Sequence, residues 1–301
     1  MAHGGIRDDL FDAAFLGRVE QLALLARRMA TSGQRAQRRS RKVGSGIEFA
    51  DHRDYSPGDD VRALDWKLFA RTERLNLKLY EEEEDLSVYF LVDHSASMGL
   101  ARPGGRTLLD RALQVTAALA YIALGNLDRV TIVPFRATVD APGRAVRGRA
   151  QYFRVLRALS PIEAAGRTGV AASIDAFVRR QPRRGLVVVL SDLYDPAGLG
   201  DALRALHLRG YEPMVLHLHD LSLLETDAYG DVTLLDTETG DLRDVCLTPD
   251  LLARYRVAFA EFCADIDRAA REVGARCLHV DLAVPFDDVV MRVFRLGGFL
   301  S

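Results

Sequence analysis

Residues 87–99 constrain the fold of this chain more than any other part of its 301 residues. The stretch begins with an apolar run, residues 87–92, that is rich in β-branched and aromatic residues and is typical of a strand buried on both faces of a parallel sheet. The run ends in an Asp-x-Ser-x-Ser pattern formed by Asp93, Ser95 and Ser97. Because a doubly wound sheet places its binding crevice outside the carboxyl ends of its strands, the pattern predicts a site at that edge.

The rest of the chain after this stretch alternates between apolar and amphipathic runs. Further strands are predicted over residues 130–135, 185–190, 214–218 and 276–280, and helices over residues 108–124, 152–159, 171–180, 197–208, 252–273 and 286–294. This alternation predicts an α/β fold with a doubly wound, mostly parallel sheet. A segment at about residues 228–247 breaks the rhythm and is typical of an inserted β-hairpin with a Gly-containing turn.

The residues before the sheet form a different region. Apolar residues recur there at helical spacing, which predicts an amphipathic N-terminal helix; they are Phe11, Phe15, Val19, Leu22, Leu25 and Met29. Residues 27–42 are basic and are typical of a solvated linker, although a strip that meets an acidic partner is the alternative. We therefore predict an N-terminal region over residues 1–80, with a helix and a small β or irregular extension, and an α/β domain over residues 81–301.

Charge and cysteine content restrict the partners and the compartment. Lys and Arg number 40 and Asp and Glu 42, so the chain has no strong electrostatic field toward nucleic acid or a membrane surface. The cysteines (Cys246, Cys263 and Cys277) lack Cys-x-x-Cys spacing, which argues against a disulfide framework or a zinc ribbon. Asp8 and Asp9 lie where a signal peptide is basic, and no uninterrupted apolar run approaches the ~18 residues of a membrane span. We expect a cytoplasmic protein without a membrane span or bound nucleic acid.

The oxygen-bearing side chains after the first strand suggest a metal ion. One carboxylate and two hydroxyls, from Asp93, Ser95 and Ser97, suit a hard divalent cation, although the same residue types also favour turns and helix caps. The pattern resembles the metal-ion-dependent adhesion site (MIDAS) of von Willebrand factor A domains. That site also draws a Thr from a second loop and an Asp from the end of a later strand, which here implies Thr168 and Asp192. The resemblance implies Mg²⁺ or Mn²⁺ bound by these five residues, which we call the oxygen cluster.

A second motif precedes the first buried strand. It consists of Glu48-Phe49, Arg53, Tyr55, Pro57-Gly58-Asp59-Asp60, Arg62, Asp65-Trp66 and Ala70-Arg71. Together with Asp-x-Ser-x-Ser it resembles the signature of domain-of-unknown-function family 58. The resemblance implies a von Willebrand factor A-like protein that works beside a MoxR-type AAA+ ATPase. Many members of that family have membrane helices before the motif, and we expect this chain to be of the shorter type without them.

The charges of this motif have two possible roles. We predict an internal network, in which the arginines pair with the carboxylates and hold an irregular segment in place. The residues concerned are Arg53, Arg62 and Arg71 on one side and Asp59, Asp60 and Asp65 on the other. A surface that docks a partner directly is the alternative.

Other candidates for chemistry are weaker. His217 and His219 alternate along a predicted strand and share a face, so that with Asp220 they could seat a second metal ion, but histidines at strand ends commonly bind none. If the alternation holds, His94 points away from the oxygen cluster. Walker A and Gly-x-Ser-x-Gly motifs are absent from the sequence, so ATP hydrolysis must come from a partner.

Two classes of function fit these observations. The first is a metal-dependent protein–protein interaction module that serves a MoxR-type AAA+ ATPase and its client protein as adaptor or co-chaperone, and binds an acidic partner residue through the cation. The second is a Mg²⁺-dependent phosphohydrolase, because an Asp beside Mg²⁺ can attack phosphate. Such enzymes usually have another carboxylate two residues after the first, where this chain has Ser95, so we favour the non-enzymatic module. A chelatase-type subunit that helps insert a metal into a cofactor stays open within the binding class.

Overall fold

The computed structural model describes residues 7, 9–33, 39–43, 48–83, 86–100, 105–181, 183–195, 198–224 and 229–296. The chain divides into two compact units, one of Met1–Ala26 with Leu86–Phe299 and one that comprises Arg27–Asp85. Sequence reasoning placed the first helix with the N-terminal region. The structure places the start of that helix with the larger unit instead, because the ring of Phe15 packs 5.1 Å from that of Phe286.

The described residues form the following elements. The strands are β1 (Arg39–Val43), β2 (Glu48–Asp54), β3 (Asn76–Glu83), β4 (Ser87–Asp93), β5 (Arg129–Phe135), β6 (Val146–Arg147), β7 (Leu186–Ser191), β8 (Glu212–His219), β9 (Gly230–Leu235), β10 (Leu242–Leu247) and β11 (Arg276–Asp281). The helices are α1 (Ala13–Gly33), α2 (Trp66–Thr72), α3 (Leu108–Gly125), α4 (Tyr152–Leu159), α5 (Val170–Arg180), α6 (Leu199–Leu208), α7 (Pro249–Glu272) and α8 (Phe286–Arg295). Short 3-10 helices occupy Val61–Ala63, Ala96–Gly99, Arg149–Gln151 and Leu221–Leu224.

The larger unit is built on a six-stranded sheet with the order β11-β8-β7-β4-β5-β6. Neighbouring strands pair in parallel except at the edge, where the short β6 pairs antiparallel with β5. The sequence prediction of a mixed α/β fold with a mostly parallel sheet is therefore confirmed. Every residue of β4 and β7 is buried, which agrees with their unbroken apolar sequences, because helices cover both faces of a parallel sheet.

Helix α3 lies at the centre of this unit, against β4 and β5. It is 18 residues long and, by length and composition alone, apolar enough to cross a bilayer, although Asp110 and Arg111 interrupt its apolar run. However, 83% of these residues are buried inside the unit, and a core helix of a folded domain passes the same test. The helix is therefore weak support for a membrane span.

The smaller unit holds a three-stranded antiparallel sheet, β1-β3-β2, and the short helix α2. Sequence reasoning predicted a linker where β1 forms and an irregular segment where β2 forms. Both strands pair with β3, which ends at Glu83 and so continues beyond residue 80, the predicted end of the N-terminal region. The side chains of the predicted basic linker after Arg27 lie outside the described residues.

The predicted internal charge network forms only in part. Arg53 pairs with Asp59 at 2.7 Å, whereas Asp65 caps α2 and contacts His52 at 3.0 Å. The prediction is wrong for the other two arginines, Arg62 and Arg71. Both are exposed, and neither forms an ion pair within the described residues, because the carboxylates offered to them are used as helix caps.

The inserted hairpin consists of β9 and β10, which pair antiparallel with Leu235 opposite Leu242. These strands form a separate two-stranded sheet, and most of their side chains are exposed. The turn that joins them spans residues 236–241. It is closed by a hydrogen bond from the Asp236 amide to the Asp241 carbonyl at 2.9 Å and by Gly240 at a φ of +78°.

Candidate metal centre

The two carboxylates of the oxygen cluster lie at the same edge of the sheet. Asp93 is the last residue of β4, and Asp192 directly follows β7, the parallel neighbour of β4. From β4 the chain continues to β5 on one side, and from β7 it continues to β8 on the other. This divergence is a topological switch point, where a doubly wound sheet opens a crevice at the carboxyl ends of its strands.

Backbone hydrogen bonds join the loop after β4 to the loop before α5. The amide of Ala96 donates to the carbonyl of Gly166 at 2.8 Å, and the amide of Ala165 donates to the carbonyl of His94 at 2.9 Å. These bonds fix the two loops against each other. The second loop therefore lies beside the Asp-x-Ser-x-Ser pattern although about 70 residues separate them in sequence.

Thr168 is the residue that the second loop directs to the site. Its Oγ1 donates to Asp93 Oδ2 at 3.0 Å. The next residue, Gly169, approaches the chain so closely that a Cβ on it would lie 2.7 Å from the carbonyl oxygen of Ala137. Glycine at this position therefore permits the loop to reach the sheet edge.

Asp93 is fully buried and accepts hydrogen bonds on both carboxylate oxygens. Oδ1 accepts from the Ser95 amide at 2.9 Å, and Oδ2 accepts from Ser191 Oγ at 2.6 Å in addition to Thr168. Burial raises the pKa of Asp93, and these donors oppose the rise. Sequence reasoning missed Ser191 because it ends an apolar strand, where its hydroxyl gave no sign of a polar partner.

Asp192 has an incomplete set of partners. Its Oδ1 accepts from the Tyr194 amide at 3.2 Å, but its buried Oδ2 has no hydrogen-bond partner among the described residues. Burial, together with the charges of Asp93 and Glu238, raises the pKa of Asp192 to about 7, and the Ser97 hydroxyl and the Tyr194 amide oppose the rise. Leu193, which follows, has a φ of +59°, an unusual conformation for a bulky residue that reverses the chain behind Asp192.

The two serines complete the oxygen cluster. Ser95 Oγ and Ser97 Oγ lie 3.0 Å apart within hydrogen-bond distance. Ser97 Oγ also donates to Glu238 Oε1 at 3.1 Å, and the Thr168 amide donates to Glu238 Oε2 at 3.1 Å. Sequence reasoning missed Glu238, which lies in the hairpin turn and resembles an ordinary turn residue there.

The chemistry of the oxygen cluster fits a hard divalent cation. All the side-chain atoms that it offers as metal ligands are carboxylate or hydroxyl oxygens, which Mg²⁺ and Mn²⁺ prefer. The strongest influences on the pKa values of Asp93 and Asp192 are burial, hydroxyl and amide donors and neighbouring carboxylates. A cation would compensate two buried carboxylates and bind the unpartnered Oδ2 of Asp192.

The remaining histidines have roles outside the oxygen cluster. His94 points away from it, as predicted, and contacts the Glu163 carbonyl at 2.9 Å and Asp140 Oδ2 at 3.0 Å. These contacts join the loop after β4 to two neighbouring loops. His94 therefore supports the shape of the site without facing it.

The predicted trio of His217, His219 and Asp220 does not converge. The two histidines share a face of β8, but Asp220 turns toward Ser222, whose Oγ lies 2.7 Å from its carboxylate. His217 instead meets His279 of β11, with their Nδ1 atoms 2.8 Å apart. Because two nitrogen ligands of one zinc ion, each at about 2.0–2.1 Å, lie farther apart than this, the contact is that of a hydrogen-bonded pair. The pair lies near Cys263, within a group of possible metal ligands that sequence reasoning did not bring together.

The structure resembles solved structures only loosely. The match to the conserved hypothetical protein BatB from Bacteroides thetaiotaomicron covers 70% of this chain and 98% of that one, with a TM-score of 0.45 at 16% identity. The structure also matches an aerotolerance-related membrane protein from Bacteroides fragilis, over 70% of this chain and 97% of that one, with a TM-score of 0.43 at 14% identity.

The descriptions of these neighbours correct the predicted location. Besides the Bacteroides fragilis protein, an uncharacterized membrane spanning protein from Vibrio fischeri matches over 70% of this chain and 100% of its own, with a TM-score of 0.22 at 14% identity. The descriptions of these two proteins contradict the prediction of a cytoplasmic protein, which rested on cysteine use and on the N-terminal charges.

Sequence comparison gives a closer relationship. Uncharacterized proteins from Mycobacterium bovis (Mb1516) and Mycobacterium tuberculosis (Rv1480) are each 34% identical over 242 residues, which cover 78% of this chain and 74% of theirs. Residues 51–267 match the family described as "Protein of unknown function DUF58". That match includes the oxygen cluster, the Glu238 turn and most of the N-terminal motif, and the chain therefore belongs to the DUF58 family.

Proposed function

We propose that this chain is a metal-dependent protein–protein interaction module. In this proposal the oxygen cluster holds Mg²⁺ or Mn²⁺, and the cation binds an acidic residue of a partner. The partner is a MoxR-type AAA+ ATPase or the client protein that the ATPase acts on. The chain serves them as an adaptor or co-chaperone.

The unpartnered Oδ2 of Asp192 is the observation that carries the proposal. Buried polar atoms are nearly always hydrogen-bonded, and a buried carboxylate oxygen without a donor is costly unless a cation binds it. This oxygen lies in the crevice beside a second buried carboxylate, that of Asp93. Carboxylates that crowd one site in this way are typical of cation binding.

The strand order supports a fold of the von Willebrand factor A type. The sheet has β4 and β7 at its centre, continues to β8 and β11 on one side and to β5 on the other, and ends at the antiparallel strand β6. The loops after β4, before α5 and after β7 supply the oxygen cluster. A MIDAS of that fold class draws its ligands from three loops in the same chain order.

The chain's own residues divide the work at the site. Ser95, Ser97 and Thr168 supply neutral hydroxyls, and Asp93 and Asp192 supply negative charge directly or through water. When bound, the cation supplies positive charge and a coordination position for an oxygen from outside. The two carboxylates balance the charge of a divalent cation without exceeding it, and the three hydroxyls add no charge. A partner carboxylate is therefore still attracted to the ion.

The geometry disfavours the phosphohydrolase alternative. A nucleophilic aspartate needs an oxygen that can reach a phosphorus atom, whereas Asp93 is fully buried and both its oxygens accept hydrogen bonds. The position two residues later, where such enzymes have a second carboxylate, is Ser95. The site is therefore better suited to hold an ion than to attack a substrate.

The N-terminal motif offers a second contact surface for a partner. Arg62 and Arg71 are exposed, and Trp66, which is 60% exposed, packs edge-on against Phe69 at 6.2 Å. Exposed Trp and Arg are the residue types that contribute most to protein interfaces. We include this surface in the proposed interaction with the ATPase.

Association with the ATPase tests the proposal. The wild-type chain is used to capture the MoxR-type ATPase encoded nearest to it, with Mg²⁺ and with a chelator in its place. We expect capture with Mg²⁺ and its loss with the chelator. Asp93→Asn, which keeps the shape of the side chain and removes its charge, should abolish capture. Asp175→Asn, which removes an exposed charge from α5, is the matched control and should capture normally.

Both variants need an unchanged near-ultraviolet spectrum so that misfolding is excluded. If the wild type still captures the ATPase in chelator, and Asp93→Asn also captures it, the metal-dependent mechanism is contradicted. Release of phosphate from a generic phosphate ester by the wild type, with loss of this activity in Asp93→Asn, would favour the hydrolase.

A further inference from the structure

We propose that Glu238 is an internal acidic ligand of the oxygen cluster, and that it takes the coordination position for which a partner carboxylate competes. This inference rests on the proposed function, because it needs a cation at that site. It assigns the inserted hairpin a role, namely to control access of a partner to the ion.

The contacts of Glu238 place its carboxylate among the candidate ligands. Oε1 accepts from Ser97 Oγ at 3.1 Å, and Oε2 accepts from the Thr168 amide at 3.1 Å. Ser97 and Thr168 belong to two different loops of the oxygen cluster, so the carboxylate bridges these loops. An acidic side chain from a partner that bound the same ion would have to approach the same two residues.

The hairpin turn is built to present this side chain. Asp236 Oδ1 accepts from the amides of Glu238 and Thr239 at 2.8 and 3.0 Å, which fixes the turn at its start. Thr239 Oγ1 then donates to Asp241 Oδ2 at 2.8 Å. Glu238 is half-buried, whereas its neighbours in the turn are exposed, so the turn places this one side chain against the site.

Electrostatics explain why Glu238 needs the cation. Its charge lies near the buried carboxylate of Asp192, whose pKa it raises together with Asp93. Carboxylates that share a site repel one another unless a cation or a proton compensates them. A bound divalent cation changes this repulsion into attraction, so the same contact holds the hairpin in place when the ion is present.

In this proposal the hairpin can also move away from the oxygen cluster. Within the described residues β9 and β10 pair only with each other, and a two-stranded hairpin is marginally stable by itself. The hydrogen bonds of Glu238 are therefore a principal attachment of the turn to the sheet edge. A partner with an Asp or Glu at the tip of an exposed loop presents the same carboxylate group as this turn and can displace Glu238 from the site.

Manganese binding provides the first test, because it needs no identified partner. Mn²⁺ is titrated into the wild type, Glu238→Ala and Asp231→Asn, which removes an exposed charge from the same hairpin. We expect Glu238→Ala to weaken Mn²⁺ binding by about tenfold or more, and Asp231→Asn to bind as the wild type does. Sodium acetate should restore much of the lost affinity to Glu238→Ala, whereas sodium chloride at the same ionic strength should not, because acetate supplies the missing carboxylate.

Hydrogen exchange of the hairpin provides the second test. We expect Mn²⁺ to slow amide exchange in residues 236–241 of the wild type, and to leave it unchanged in Glu238→Gln, which keeps the size of the side chain. Equal Mn²⁺ affinity in wild type and Glu238→Ala, with turn exchange that does not respond to the ion, would overturn the role of Glu238 alone. Failure of the wild type to bind Mn²⁺, or undiminished binding by Asp93→Asn, would overturn the proposed function as well.

Discussion

The carboxylates of the oxygen cluster and those of the N-terminal motif are in opposite physical states. In the motif, a hydrogen bond from His52 and the amides of α2 lower the pKa of Asp65 to about 2. At the edge of the main sheet, burial raises the pKa of Asp192 to about 7, and its neighbours are further carboxylates. The motif therefore compensates its charges from within the chain, whereas the proposed cation would compensate the buried carboxylates at the sheet edge.

This difference separates two kinds of polar sequence pattern. Charges in an exposed segment find caps and nearby cations, so their arrangement is mainly local. Oxygen-bearing side chains at the carboxyl ends of buried parallel strands lie close together, because the topology brings them to one crevice.

The largest expected effect concerns pH and the metal-free protein. Because the pKa of Asp192 is raised from 3.8 to about 7 in the folded state, the unfolded chain ionises this group at a lower pH than the folded chain does. Its contribution to the free energy of unfolding should therefore fall by several kcal/mol as pH rises from about 4 to about 7. Urea unfolding of wild type and Asp192→Asn across this range, in chelator, measures the difference.

The expected result is that Asp192→Asn makes the decline with pH clearly shallower, and that the remaining decline belongs to Asp93, whose pKa burial also raises. Parallel curves for the two proteins would mean that Asp192 is compensated within the chain, like Asp65, and the comparison between the two regions would be broken.

The second effect concerns stabilisation by the ion. A ligand that binds only the folded state stabilises it by about 2.7 kcal/mol at 100 times its dissociation constant. Mn²⁺ should therefore raise the melting temperature of the wild type and of Asp175→Asn, but not that of Asp93→Asn. Equal shifts in all three proteins would place the binding of Mn²⁺ elsewhere on the chain.

The third effect concerns the donor that sequence reasoning missed. Ser191→Ala removes the 2.6 Å hydrogen bond to the buried carboxylate of Asp93 and should cost about 1–3 kcal/mol in the free energy of unfolding. Ser222→Ala, which removes a less buried hydroxyl that contacts Asp220, is the control and should cost less. Equal costs would show that burial at the sheet edge does not set the strength of these contacts.

The smallest effect concerns the motif arginines. Arg62→Ala should change the free energy of unfolding by less than about 0.5 kcal/mol, since Arg62 is exposed and has no ion pair within the described residues. Arg53→Ala, which removes a partly exposed pair with Asp59, should cost up to about 1 kcal/mol. If capture of the ATPase drops in Arg62→Ala while its thermal midpoint is unchanged, the docking role is supported; a large loss of stability would restore the internal network.

The sheet and the oxygen cluster were largely predictable because both follow from local patterns. The apolar runs of β4 and β7 and the Asp-x-Ser-x-Ser pattern are contiguous, and the family resemblance supplied Thr168 and Asp192. Glu238 was not predictable, because it contacts Ser97 across 141 residues and its turn sequence already has a local explanation. The ion pairs of Arg62 and Arg71 were mispredicted because caps competed for the carboxylates, as Asp60 shows by accepting from the Arg62 amide rather than from its guanidinium.

Direct binding of Mn²⁺ tests the central claim, that the sheet edge holds a divalent cation. Calorimetric titration of Mn²⁺ into the wild type, Asp93→Asn and Asp175→Asn at neutral pH measures stoichiometry and affinity together. The account predicts one ion per chain for the wild type and Asp175→Asn, and loss of that binding in Asp93→Asn. Absence of binding in the wild type, or the same affinity in Asp93→Asn, would contradict it.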